Sequence, residues 1–181
     1  MGFGWTHEAM TTPVVVDFAA LKVQGPWGAT QFAQNIYREA QKIDEWGGED
    51  YDGTSVLAGA KMMKSFGLLR EYRWSFGAHD VALSLTNVGP VVLGIPWYES
   101  MYEAPHGVVS VAGQQVGGHC ILAVAYRKPD VIFKEPAFGL FNSWGPGWGK
   151  NGFAWVAYSD LASLLRQDGE ACVPTKRSYG R

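Results

Sequence analysis

The chain has 181 residues, 47% of them hydrophobic and 14% aromatic with eight Trp, enough to bury a core and too apolar for a disordered chain. A net charge of −2 gives no electrostatic reason to expect nucleic acid or an acidic membrane as partner, and the basic Lys176, Arg177 and Arg181 read as a solvated end. Two cysteines, Cys120 and Cys172, exclude a disulfide framework while allowing one bridge, and no apolar run approaches a membrane span.

In chain order, Phe3, His7 and Met10, flanked by Trp5 and Ala9, predict a short helix ending before Pro13. The connector VQGPWGA leads to a second helix from about Thr30 to Trp46. There Phe32, Ala33, Ile36, Tyr37, Ala40 and Ile43 recur at three and four residues and make one apolar face, with Thr30 as its cap. An acidic loop, GGEDYDGTS, precedes a third helix through Val56, Ala60 and Met63, capped by Thr54 or Ser55 and stopped by Gly67. GAHDVAL reads as a further helix start.

From about Gly89 the apolar period changes to two. PVVLGIPW, HCILAVAY, FGLFNSW and GFAWVAYS are short β-rich runs separated by Gly, Pro and polar turns. Ser159 is placed to cap a last helix, DLASLLRQ. The whole chain, 1–181, is therefore read as one α+β domain with a helical lobe over 1–88 and an antiparallel β lobe over 89–181. No signal peptide or membrane segment is visible as the chain is written, which reads as a soluble, cytoplasmic protein.

Of four histidines, His7, His79 and His106 have no second titratable residue at a telling spacing. His119 differs, because it heads a strand directly after Gly117 and Gly118, which leave backbone room for a ligand. Downstream, FNSWGPGWGKNGFAWV sets an Asn and a Trp at a strand end, then a glycine-rich turn and another aromatic strand.

GGHCILAVAY followed by FNSWGPGWGKNGFAWV closely resembles the papain family of cysteine peptidases, in the order of its His strand, Asn-Ser-Trp-Gly turn and Gly-Trp-Gly-x-x-Gly turn. DGTSVLAGAKMMKSFGLL is similar to the helix-and-turn region of bacterial and phage-type members. The resemblance implies a two-lobed papain-like fold with a barrel-like β lobe and peptide-bond hydrolysis without metal or organic cofactor. His119 would accept the thiol proton, Asn142 would orient its ring, and Trp144 would shield their hydrogen bond from water. Gly117 and Gly118 would support the site. Specificity pockets would draw on residues such as Trp97, Tyr98 and Met101.

The nucleophile is missing from that constellation. Met1-Gly2-Phe3 matches the residues just after the family's cysteine, so the Cys is expected immediately before Met1 and the oxyanion Gln a few residues earlier. Cys120 adjoins His119 on a strand and so points to the other face, and Cys172 has no activating neighbour. A rival frame is QGPWGATQFA, with Gln24 in the oxyanion position and Thr30 in the nucleophile's place. Against it stand the 23 residues between Thr30 and Gly53 (53 − 30), which look too few, and the capping role of Thr30. The expectation is a truncated cysteine peptidase, inactive as written, taking peptide or protein. A non-catalytic peptide- or carbohydrate-binding pseudoenzyme of the same fold, the latter using Trp148 and Trp97-Tyr98, stays open.

Overall fold

The computed structural model describes residues 25–46 and 52–176 of the chain. The helix expected over Phe3–Met10 lies outside them, as does the position preceding Met1. Four α-helices and one six-stranded sheet make up the described fold: α1 Gly25–Gln41, α2 Val56–Ser65, β1 Leu69–Trp74, α3 Ala78–Asn87, β2 Val91–Tyr98, β3 Gln115–Arg127, β4 Ala137–Phe141, β5 Phe153–Ala157, α4 Tyr158–Arg166 and β6 Glu170–Lys176. Two short 3₁₀ turns, Glu99–Tyr102 and Pro105–Gly107, come after β2.

Helix α1 starts five residues earlier and stops five earlier than its periodicity suggests. Pro26 falls in the first turn, where its missing N–H breaks no intrahelical bond. Thr30 is thus inside the helix and is not its cap. The far end stops because the apolar face runs out of cover: Ala40 is fully buried, whereas Ile43 is 41% exposed. The chain then tightens through Lys42 N–H to Glu39 O and Ile43 N–H to Ala40 O.

Helix α2 forms as its sequence signals require. The Ser55 hydroxyl oxygen accepts the Ala58 N–H at 3.1 Å. At the other end Gly67 adopts φ +74, and Leu68 N–H reaches back to Met63 O, closing a left-handed C-terminal turn. Helix α4 begins differently from its expected cap. Ser159 lies in its first turn, and its N–H and hydroxyl both donate to the carboxylate of Glu135, at 2.8 and 2.7 Å. A carboxylate from the preceding loop thus serves the helix start.

The strands are ordered β1-β6-β2-β3-β4-β5, all neighbours antiparallel. Strand β1 comes from the part of the chain read as a helical lobe, yet it is bonded to β6 at the other end of the sequence. The two-residue period sorts side chains onto two faces. Val91, Leu93 and Ile95 of β2 and Ile121 of β3 enter one core, with Val81 of α3 and Leu161 and Leu164 of α4. Val92, Cys120, Leu122 and Cys172 enter a second core against Phe32 and Ile36 of α1 and Ala60 and Met63 of α2. A sheet covered on both faces has no solvent side, which is why its central strands are nearly continuous apolar runs.

Candidate active site

Strand β3 carries His119 opposite Ile95 of β2. Before it, Gly117 has φ +147, and a side chain built at Gly117 or Gly118 would meet nothing within 4 Å. These glycines keep one wall of a cleft bare.

Asn142 comes directly after the last residue of β4. Its N–H donates to Gly152 O at 2.9 Å, which fixes the backbone, and the residue is 2% exposed. The side-chain oxygen accepts the Ser143 N–H at 2.8 Å and lies 3.0 Å from His119 Nε2. An oxygen already receiving one N–H makes Nε2 the protonated nitrogen of the ring. Nδ1 is then the lone-pair nitrogen, available to take a proton.

Aromatic rings enclose the pair. Trp144 lies 4.6 Å from the His119 ring and Trp97 meets it edge-on at 4.5 Å, centroid to centroid. Trp148 anchors the glycine-rich turn by donating Nε1–H to Met101 O at 2.9 Å. Burial drives the His119 imidazole down from 6.5 to about 4, although the Asn142 hydrogen bond works in the opposite direction. The ring is accordingly neutral at physiological pH and a weak base.

The structure assembles His119, Asn142, Trp144, Gly117 and Gly118 at one place. It does not bring the cysteines there. Cys120 and Cys172 are both buried in the second core, with no disulfide between them. His79 and His106 are exposed, and His7 lies outside the described residues. Two expectations about aromatic residues change. Trp97 and Trp148 are 2% and 3% exposed, buried as packing around His119 and the turn, and so form no open platform. Met101 is also fully buried.

The cleft itself runs between β3 and the start of α2. It encloses a cavity of about 280 Å³ lined by Gly117, Gly118 and His119 on one side, Thr54 and Ser55 on the other, and Glu170 from β6. Sequence reasoning missed Glu170. Its signal was faint, because an acidic residue after a helix normally reads as solvated, and β6 itself was not anticipated. Among the described residues, no group of three His, Cys, Asp or Glu side chains is placed to hold a metal. No described helix is long and apolar enough to cross a membrane.

A sheet packed between helices, with a strand histidine held by an asparagine beneath a tryptophan, defines a papain-like protein. The profile described as "Papain family cysteine protease" matches residues 28–170, and the chain belongs to that family. Two curated relatives, both from Caenorhabditis elegans, are a cathepsin B-like cysteine proteinase 4 and a gut-specific cysteine proteinase. Each is 35% identical over 66 residues, covering 36% of this chain and 19% of the relative. The match therefore spans under a fifth of those relatives' length. Among solved structures, xylellain, a cysteine protease from Xylella fastidiosa, superposes with a TM-score of 0.60 at 17% identity. The superposition covers 80% of this chain and 69% of that one, and the likeness is one of fold.

Proposed function

We propose that this chain binds peptide in the cleft beside His119 and, as it stands, does not hydrolyse it. The observation that carries the reading is the His119–Asn142 pair, 3.0 Å apart, at the wall of an open cavity. His119 presents a base nitrogen there, and the bare Gly117-Gly118 backbone leaves room for an extended chain to lie alongside. Cysteine-protease chemistry needs a thiol against that nitrogen, and both thiols of this chain belong to the other face of the sheet.

Thr30 is the residue that takes the nucleophile's place in this reading. The family match begins at residue 28, two positions before Thr30, and Gln24-Gly25 stands where the family's oxyanion Gln-Gly precedes the nucleophile helix. Both objections to that frame lose their force. Thr30 is not the cap of α1, and the residues up to Gly53 accommodate the remainder of a 17-residue helix, whose apolar face packs with α2 in one core. A threonine hydroxyl ionises far less readily than a thiol and is the weaker nucleophile, so threonine in that place supports binding without turnover.

The test is Thr30→Cys. The variant should label with iodoacetamide at that position and cleave a peptide mixture in a reaction lost on His119→Ala. The frame with a cysteine before Met1 makes the opposite forecast: activity appears when the chain is extended by a residue Cys at that end, and Thr30→Cys gains nothing. Thiol-dependent cleavage by the unaltered chain, abolished by His119→Ala, would overturn the reading in either frame.

A further inference from the structure

The loop between β3 and β4, residues 128–136, takes no part in the cleft and carries two adjacent apolar side chains in solvent. Val131 is 99% exposed and Ile132 is 66% exposed. Single apolar residues on a surface are ordinary, but this pair is held out by the way the loop is built. One Asp130 carboxylate oxygen accepts both the Ile132 and the Phe133 N–H, at 2.9 Å each, and Asp130 N–H donates to Phe133 O at 2.7 Å. Arg127 pairs with the same carboxylate and lays its guanidinium over the rings of Phe133 and Trp155, 5.6 and 4.9 Å from their centroids. Phe133 is buried, so the loop has an anchor on one side and a bare tip on the other. A turn pinned in this way cannot fold Val131 and Ile132 back against the protein.

The uncancelled charges at the tip have one sign. Lys128 and Lys134 flank it, both exposed, and among the described residues neither is in an ion pair. The Asp130 charge is cancelled by Arg127. Glu135 is committed to the start of α4, where its two oxygens accept the Ser159 N–H and hydroxyl, and Asp160 stands with it there. A net charge of −2 argues against an acidic surface as partner of the molecule at large, and the tip is a local exception.

An apolar tip between two free cations fits a surface that offers hydrocarbon beneath a layer of negative charge. A stable protein interface takes about 800 Å² from each partner, more than the tip of one short loop presents. A lipid surface asks only that the apolar groups reach the acyl boundary, some 5–10 Å deep (~ one or two side chains).

We propose that the β3–β4 loop is a docking tip for an anionic phospholipid surface, with Val131 and Ile132 entering the acyl boundary and Lys128 and Lys134 meeting the headgroups. His119 lies on the same strand, eight residues before Arg127 (127 − 119) and roughly 26 Å from it. The cleft therefore stays clear of the lipid, and the assignment stands or falls independently of peptide binding.

The experiment sediments the full chain with vesicles of phosphatidylcholine alone and with vesicles of equimolar phosphatidylcholine and phosphatidylserine. Two lysines at an anionic surface should give roughly twentyfold tighter binding to the second kind. Lys128→Gln with Lys134→Gln should bring the two kinds to within about twofold. Val131→Ser with Ile132→Ser removes both inserted side chains and should weaken binding at least about a hundredfold. All four residues are exposed, so the fold tolerates these changes, and an unaltered thermal unfolding midpoint checks that. Binding that is equal on both vesicles, or that survives the serine pair, overturns the assignment. Failure to sediment with either vesicle overturns it too and leaves the tip to a protein partner.

Discussion

His119 shows how strongly one residue's surroundings decide its chemistry. Its sequence neighbours mark it out, but burial above all sets its pKa to about 4, well below the ordinary 6.5. Between those values the unfolded chain holds a proton on this ring that the folded chain refuses. Stability present above pH 6.5 is therefore lost as pH falls toward 4. At pH 5 the loss amounts to about 2 kcal/mol, readable from urea unfolding at pH 7 and pH 5, and His119→Gln should remove most of that difference. Asn142→Ala should lower the His119 pKa further, because the hydrogen bond that it removes favours the charged ring. It should also cost about 1–3 kcal/mol, by leaving His119 Nε2–H and Ser143 N–H without their acceptor. A histidine NMR titration separates the first effect from the second.

At the scale of elements, the start of α2 is the joint that shapes the cleft. It is held by Ser55 from its own chain segment and by Glu170 from a strand 114 residues away. Ser55→Ala should cost about 1 kcal/mol in thermal or urea unfolding, the usual value for one lost cap. The joint also requires Gly94. A Cβ there would come within 2.6 Å of Val56 Cγ2, closer than side chains tolerate. Gly94→Ala should destabilise by about 1–3 kcal/mol, and Val56→Ala in the same chain should recover part of that loss. If the double variant is as unstable as the two losses summed, the contact is not what makes glycine necessary. Cap residues such as Ser55 were legible because their partner lies three residues on. The Ser159–Glu135 bonds were not, because a capping carboxylate 24 residues away leaves no local pattern.

For the whole molecule, the chain's last described strand closes the fold. Strand β6 lies between β1 and β2, so it joins the only described strand from the first part of the chain to the other four. It also supplies Cys172 to one core and Ala171 and Val173 to the other. A chain ending at Gly169 should lose its cooperative unfolding transition by circular dichroism, since it exposes both cores and orphans β1. Retention of a sharp transition would show β6 to be an accessory edge.

The sequence by itself determined the α+β class, the four apolar strands β2 to β5, the α2 cap and stop, and the His119–Asn142–Trp144 group. Each is written in local spacing or in an ordered motif whose residue types the chemistry demands. It also told that Cys120 and His119 face opposite ways, because a strand alternates. Tertiary structure alone decided the rest. It paired β1 with β6, turned Trp97 from a surface candidate into packing around the imidazole, and put Glu170 at the cleft. Strand pairing and burial depend on which distant segments meet, and contacts between distant segments leave no period in either one.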